Sequence, residues 1–172
     1  MSGVLRAPRR LTKSDDRSSF TSGAEELDDW FRRFAWQNQQ AKNSVVYVAA
    51  VDDIVVGYYA ICAAAIGHDD APEGFTRRRP NPIPVVLLAR LAVDRRAQGR
   101  GVGAGMVRDA VARALSVSTG LGAAALIIHC RDDAAREFDL RHIDLLESPI
   151  DPLHLILPLR AAAAALEGPE GQ

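Results

Sequence analysis

Four glycines at alternate positions, Gly99, Gly101, Gly103 and Gly105, stand between an apolar run and an amphipathic run, and this junction constrains the fold more than any other part of the chain. The run before it, Val85 to Val93, has the composition of a buried strand. After it, Val102, Met106, Val107, Ala110, Val111, Ala114 and Leu115 recur at helical spacing, and the helix is expected to end near Ser118-Thr119-Gly120. A glycine inside a helix costs roughly 1 kcal/mol relative to alanine, so helix formation does not explain the series. Anion binding does. Glycines let the backbone approach a phosphate, the free N–H groups of the first helical turn point at it, and the helix dipole adds favourable charge. Arg100 supplies a cation, so Gln98-Gly99-Arg100-Gly101-Val102-Gly103 is the expected phosphate cradle.

Two common phosphate sites fit poorly. A P-loop needs a Gly-Lys-Ser/Thr ending, which is absent. Gly99-x-Gly101-x-x-Ala104 matches the relaxed dinucleotide pattern, but that site wants its first glycine at the strand end of an early βαβ unit. Here Asp94 to Gln98 intervene.

The other segments predict a mixed α/β sheet. Ser22-Gly23-Ala24-Glu25 has capping-box form, and Leu27, Trp30, Phe31, Phe34 and Ala35 predict a helix over about 23–41 with a core-facing aromatic stripe. Val45 to Val51, Asp52-Asp53 and Ile54 to Ala65 read as a hairpin. Residues 67–84, with Pro72, Pro80, Pro82 and Pro84, read as a loop. Strand 123–130, helix 133–142, strand 153–159 and a short helix or tail at 161–166 complete the order, and the last residues are expected to fray. A length of 172 residues suits one domain, with about 1–14 and 161–172 as its loosest ends.

Composition removes several function classes. No stretch approaches the roughly 18 apolar residues of a membrane span, and no apolar segment follows the N-terminal arginines as a secretion signal requires. Cys62 and Cys130 sit in or beside apolar runs without a CxxC or Cys/His cluster, so both read as core thiols of a cytoplasmic protein and no metal is expected. Net charge is −1, yet the charge is uneven. Residues 1–14 carry Arg6, Arg9, Arg10 and Lys13 with no acid, and 74–100 carry seven arginines against Asp94. A solvated surface and an anion-binding face both explain that pattern.

Gln98-x-x-Gly101-x-Gly103 after Leu91-Ala92-Val93-Asp94 resembles the acyl-CoA pyrophosphate motif of the GNAT superfamily. The resemblance implies the GNAT fold and acetyl-CoA as cofactor, with the N–H groups of residues 99–104, Ala104 included, on the pyrophosphate. It also implies that the backbone of Leu91, Ala92 and Val93 pairs with the pantetheine arm. Phe20-x-Ser22-Gly23, Leu27-Asp28-x-Trp30 with Ala35, Gly57-Tyr58-Tyr59, Arg90-Leu91-Ala92-Val93-Asp94 and Ser148-Pro149-x-Asp151-Pro152 narrow it. Together they resemble the TacT-like GNAT toxins of type II toxin–antitoxin systems, over about residues 5–160. That resemblance implies N-acetylation of the α-amino group of aminoacyl-tRNA, arrest of translation, a ribbon-helix-helix antitoxin and a homodimer. Arg77, Arg78, Arg79 and Arg90 become candidates for tRNA contact.

One element departs from the family pattern Ala-x-x-Phe-Tyr-x-x-x-Gly-Phe, whose tyrosine would protonate or orient the departing thiolate. The chain reads Ala135-Arg136-Glu137-Phe138-Asp139-Leu140-Arg141-His142-Ile143-Asp144. Strict alignment places Asp139 in the tyrosine slot, and a shift of one places Phe138 there. Three explanations stand: an inactivated variant with Phe138 for tyrosine, Asp139 or His142 as the acid, or a naturally weak enzyme. A core aromatic and a helix-face acid account for Phe138 and Asp139 without chemistry. The other histidines, His68, His129 and His154, show no partner pattern. A GNAT enzyme of a small amine or antibiotic and a non-catalytic acyl-CoA-binding module are the rival functions.

Overall fold

The computed structural model describes residues 2–167; Met1 and the last residues, where fraying is expected, lie outside the described residues. Seven strands hydrogen-bond in the order β1-β2-β3-β4-β5-β7-β6. They are β1 (Arg9–Arg10), β2 (Val45–Val51), β3 (Ile54–Ile66), β4 (Ile83–Val93), β5 (Ala125–His129), β6 (Leu146–Glu147) and β7 (His154–Pro158). The helices are α1 (Glu25–Arg33), α2 (Ala35–Gln40), α3 (Val102–Gly120), α4 (Asp133–His142) and α5 (Leu159–Glu167). Among the described residues, no helix is long and apolar enough to cross a membrane.

The main elements fall where periodicity puts them, and the differences have local causes. The helix expected over 23–41 breaks at Phe34, whose φ of −121° leaves the helical region. The expected capping box does not form, because Ala24 occupies the N-cap and offers no side-chain bond. Asp28 replaces Glu25 as acceptor. Its buried carboxylate takes Ser22 N (3.0 and 2.9 Å), Ser22 Oγ (2.6 Å) and Gly23 N (3.4 Å). Strands β1 and β6 are two residues each, too short for any alternation to announce them.

The chain divides into two compact units. The first comprises Met1–Cys62 and Arg90–Asp109. In it β1, β2 and β3 pair antiparallel, with Asp52 and Asp53 at positive φ making the hairpin turn. Its core gathers Phe20, Phe31, Val46, Val48, Tyr58 and Ala92. Of the expected stripe, Phe31 and Ala35 join that core and Leu27 and Trp30 pack against it, while Phe34 is exposed; Phe31 stacks on Tyr58 at 4.2 Å, and the Tyr58 hydroxyl donates to Leu27 O (2.7 Å). Leu11 is buried and donates its N–H to Val46 O (2.8 Å), which fastens the N-terminal segment. The second unit comprises Ala63–Ala89 and Ala110–Gln172. There β4 runs parallel to β5 through Val86–Leu88 and Leu126–Ile128, while β7 lies antiparallel between β5 and β6. Its core joins Ile83, Val85, Ala125, Ile127 and Ile156, and Ala71 and Phe75 from the proline-rich loop pack on it.

Candidate functional site

The glycine segment is held from behind by the side chains of Asp94 and Gln98. After β4, Asp94 caps a 3₁₀ turn over Arg95–Ala97. Its buried carboxylate accepts Arg96 N (2.9 Å), Arg96 Nε (2.8 Å), Arg96 Nη2 (3.0 Å) and Thr21 N (3.1 Å). Burial alone would raise this carboxyl's pKa, but the Arg96 and Thr21 bonds prevail and hold it below the usual carboxylate range. Gln98 then donates Nε2 to Ser22 O (2.8 Å) and Val93 O (2.9 Å). The expected cradle residue Gln98 is therefore a brace that fixes the start of the loop, and its amide hydrogens face protein carbonyls.

Beyond that brace the backbone turns twice through the left-handed region, at Gly99 (φ 78°) and Gly101 (φ 79°). A side chain at either would meet no atom within 4 Å, so conformation rather than crowding demands glycine there. Gly105 N bonds Gly101 O (3.0 Å) and closes the first turn of α3. By helix geometry the N–H groups of Val102, Gly103 and Ala104 lack intrahelical partners and point out of the N-terminus. Gly99, Arg100 and Gly101 are exposed, while Val102 is buried and anchors the turn. A turn with exposed glycine backbone and three outward donors fits a pyrophosphate. On β4, Leu91 and Val93 are half-buried and Ala92 is in the core.

The second unit carries the departure from the tyrosine pattern. Helix α4 is capped by Asp132, which accepts Ala135 N (2.9 Å). Asp139 is buried, and the Cys130 thiol donates to its Oδ2 at 3.5 Å. Burial pushes the Asp139 carboxyl up to about 6 against the weaker opposing effects of the Cys130 bond and His142. Burial and the Asp139 charge push the Cys130 thiol up to about 12, so it stays protonated. Phe138 is half-buried beside the His142 ring at 4.3 Å, and His142 Nδ1 donates to Phe138 O (2.7 Å). Of the two candidate acids on this helix, Asp139 is buried and shifted toward its protonated form, while His142 is exposed.

The candidate tRNA arginines do not act as one set. Arg77 and Arg78 are exposed. Arg79 lies over the Phe75 ring at 4.5 Å and donates Nε to Phe75 O (2.9 Å). Arg90, in the first unit, lies over the Trp30 ring at 4.5 Å. In the N-terminal cluster, Arg9 pairs with Asp15 at 2.7 Å. Cys130 is buried as expected and Cys62 is half-buried. Among the described residues no His/Cys/Asp/Glu group is suited to a metal.

The histidines are where sequence reading missed most. His129 and His154 are opposed across β5 and β7, their rings stacked at 3.8 Å and 13°. His154 Nε2 lies 3.3 Å from Asp151 Oδ2. The two rings are 25 positions apart in the chain, and the antiparallel register joins them.

Comparisons with known proteins come from three directions. Residues 10–139 match the Acetyltransferase (GNAT) family. The tRNA-acetylating toxin of Mycobacterium tuberculosis (strain ATCC 25618 / H37Rv) is 43% identical over 166 residues, covering 96% of this chain and 99% of that protein. The solved structure of AtaT complexed with acetyl-methionyl-tRNAfMet superposes with a TM-score of 0.85 at 24% identity, covering 94% of this chain and 98% of that one. A mutant AtaT toxin bound to the C-terminus of the antitoxin AtaR and acetyl-CoA gives 0.78 at 24% identity, covering 94% and 97%.

Proposed function

This chain belongs to the GNAT acetyltransferase family, and from that premise we propose that it acetylates the α-amino group of aminoacyl-tRNA and so blocks translation. The observation that carries the reading is 43% identity to a tRNA-acetylating toxin across nearly the full length of both chains. The glycine turn supports the donor half, because its backbone matches the demands of a pyrophosphate. We read residues 1–172 as one acetyltransferase domain that works in the cytoplasm as a homodimer. A ribbon-helix-helix antitoxin is its expected inhibitor.

When bound, acetyl-CoA supplies the activated thioester. The N–H groups of Gly99 to Ala104 hold its pyrophosphate, and the backbone of Leu91 to Val93 pairs with its pantetheine arm. Direct attack on a thioester needs a neutral amine and a proton for the departing sulfur. On strict alignment Asp139 takes the slot of the family's tyrosine, and we assign that proton to its carboxyl. With a pKa of about 6, about a tenth of the molecules hold it at pH 7, enough for useful acid catalysis. Phe138 lies beside the His142 ring. We assign phosphate contact to the exposed Arg77 and Arg78, while Arg79 and Arg90 lie over aromatic rings.

The test is mass spectrometry of the 3′-terminal nucleoside after incubating the chain with acetyl-CoA and bulk charged tRNA. N-acetylaminoacyl-adenosine is the expected product. Its absence, with small amines acetylated instead, would move the chain to a metabolite or antibiotic substrate. Absence of any product, with acetyl-CoA still bound, would make it a binding module.

A further inference from the structure

The donors of the glycine turn are only as well aimed as the helix that carries them, and in the first unit β3 sets that helix. Strands β2 and β3 slip by one residue where Ala49 pairs with Gly57 and Ala50 with Val55, which leaves Val56 as the extra residue of a bulge. The Val56 carbonyl accepts Asp94 N (2.8 Å), so the loop after β4 starts from that point of the sheet. The next residue, Gly57, is buried and packs against the start of α3. A Cβ there would lie 2.9 Å from Met106 Cε and Sδ and 3.2 Å from Val102 Cγ1. Ordinary carbon contacts are roughly 3.5–4.0 Å, and Met106 and Val102 are themselves buried. Gly57 lies outside the left-handed region, so space demands glycine here, whereas conformation demands it at Gly99 and Gly101.

Two residues further along the same face of β3, Tyr59 is fully buried. Its ring stacks on Tyr47, its partner on β2, at 5.1 Å and 24°. That stack fixes the ring, and the hydroxyl donates to Asp109 Oδ2. Val102, Met106 and Asp109 stand at i, i+4 and i+7, a single stripe of α3. Tyr58, between Gly57 and Tyr59, points to the opposite face and stacks on Phe31. The first two turns of α3 are therefore held at two places. Gly57 sets how near the helix comes to the sheet, and the Tyr59–Asp109 bond sets its rotation about its own axis. All of these residues belong to the first unit, together with the glycine turn.

We propose that Gly57, Tyr59 and Asp109 are positioning residues for acetyl-CoA, acting through α3 to aim the N–H groups of Val102, Gly103 and Ala104 at its pyrophosphate. This rests on the donor reading of the glycine turn and adds to it the residues that fix its direction. Hydrogen bonds weaken steeply as they bend. A helix pushed off the sheet, or turned about its axis, bends all three together. The pantetheine arm is assigned to the backbone of β4, which these changes leave in place. A displaced α3 therefore weakens the hold on a donor that carries a pyrophosphate and spares one that lacks it.

The experiment has two arms. Acetyl-CoA affinity is measured by calorimetric titration, which needs no turnover. Acetyl transfer to charged tRNA is then followed with acetyl-CoA and with S-acetylpantetheine, which lacks the pyrophosphate. Gly57→Ala is expected to weaken acetyl-CoA affinity about ten-fold and to raise its KM alike, with kcat within about two-fold of native. Tyr59→Phe and Asp109→Ala are each expected to weaken affinity about five-fold, as for the loss of one charge-assisted hydrogen bond, and the double variant no more than either alone. For S-acetylpantetheine, kcat/KM is expected to stay within about two-fold of native in every variant. Native affinity in Gly57→Ala overturns the role of the glycine. Native affinity in Tyr59→Phe, or losses that add in the double variant, overturns the role of the bond. Equal losses with both donors overturn the aiming, because they mark a general distortion. Should Gly57→Ala fail to fold, the Tyr59–Asp109 cycle decides alone. Gly101→Val separates the proposal from the reading beneath it. Unchanged affinity there defeats the donor site itself, whereas a loss there with native affinity in the other variants defeats the positioning alone.

Discussion

The glycine turn after β4 and the carboxyl on α4 solve different problems with different materials. The turn works through backbone: two left-handed glycines and a helix N-terminus, braced by Asp94 and Gln98. In the proposed mechanism the α4 end works through one side chain, whose proton affinity is set by burial. A backbone site is specified by conformation, so few sequences make it and its pattern is recognisable. A side-chain site is specified by surroundings, so the same task can pass from a phenol to a carboxyl once the pocket shifts the pKa.

The sharpest way to break this contrast is at Gly101. A β-branched side chain at a φ of 79° is excluded sterically, so Gly101→Val is expected to weaken acetyl-CoA binding by about 100-fold while the rest of the fold persists. Calorimetric titration with acetyl-CoA checks it, and an unchanged affinity would mean the turn is not the donor site.

Asp139 makes the complementary prediction through stability. Its folded pKa of about 6 lies above the ordinary 3.8, so the native state binds the extra proton between those values and loses stability as pH rises through about 6. Above pH 7 the buried charge costs about 3 kcal/mol. Asp139→Asn is therefore expected to be more stable than the native chain at pH 8, with the difference closing below pH 4. Urea denaturation at the two pH values reads this directly, and the opposite sign would mean that the carboxylate is stabilised where it sits.

A smaller effect is expected from the loop arginines. Removing Arg77 and Arg78 together should weaken tRNA binding about ten-fold, evenly across tRNA species, and lower the slope of log affinity against log salt by about two. Filter binding across a salt series measures both. The smallest effect belongs to the brace: Gln98→Ala should raise the KM for acetyl-CoA a few-fold through loosening of the loop, with kcat retained, because lost hydrogen bonds of this kind are worth about 1 kcal/mol each.

How much could be read in the sequence follows the same division. The five longer strands, α3 and the glycine turn are written in local periodicity and composition, and they fall where those patterns put them. The break at Phe34, the use of Asp28 in place of a capping box and the two-residue strands depend on partners distant in the chain or on segments too short to show a period. Asp139 was visible as a residue, but its proton affinity depends on Cys130 and on burial. The histidine pair was invisible, because His129 and His154 become neighbours only when β5 and β7 take their register.

The central claim is that donor binding and proton donation reside in separate parts of this chain. Measuring acetyl-CoA affinity and single-turnover acetylation of charged tRNA on the same preparation of Asp139→Asn tests it most directly. The account predicts affinity within about two-fold of native and a rate lower by on the order of 100-fold. A native rate would leave Asp139 without a catalytic role, and equal loss of affinity and rate would join the two sites that the account keeps apart.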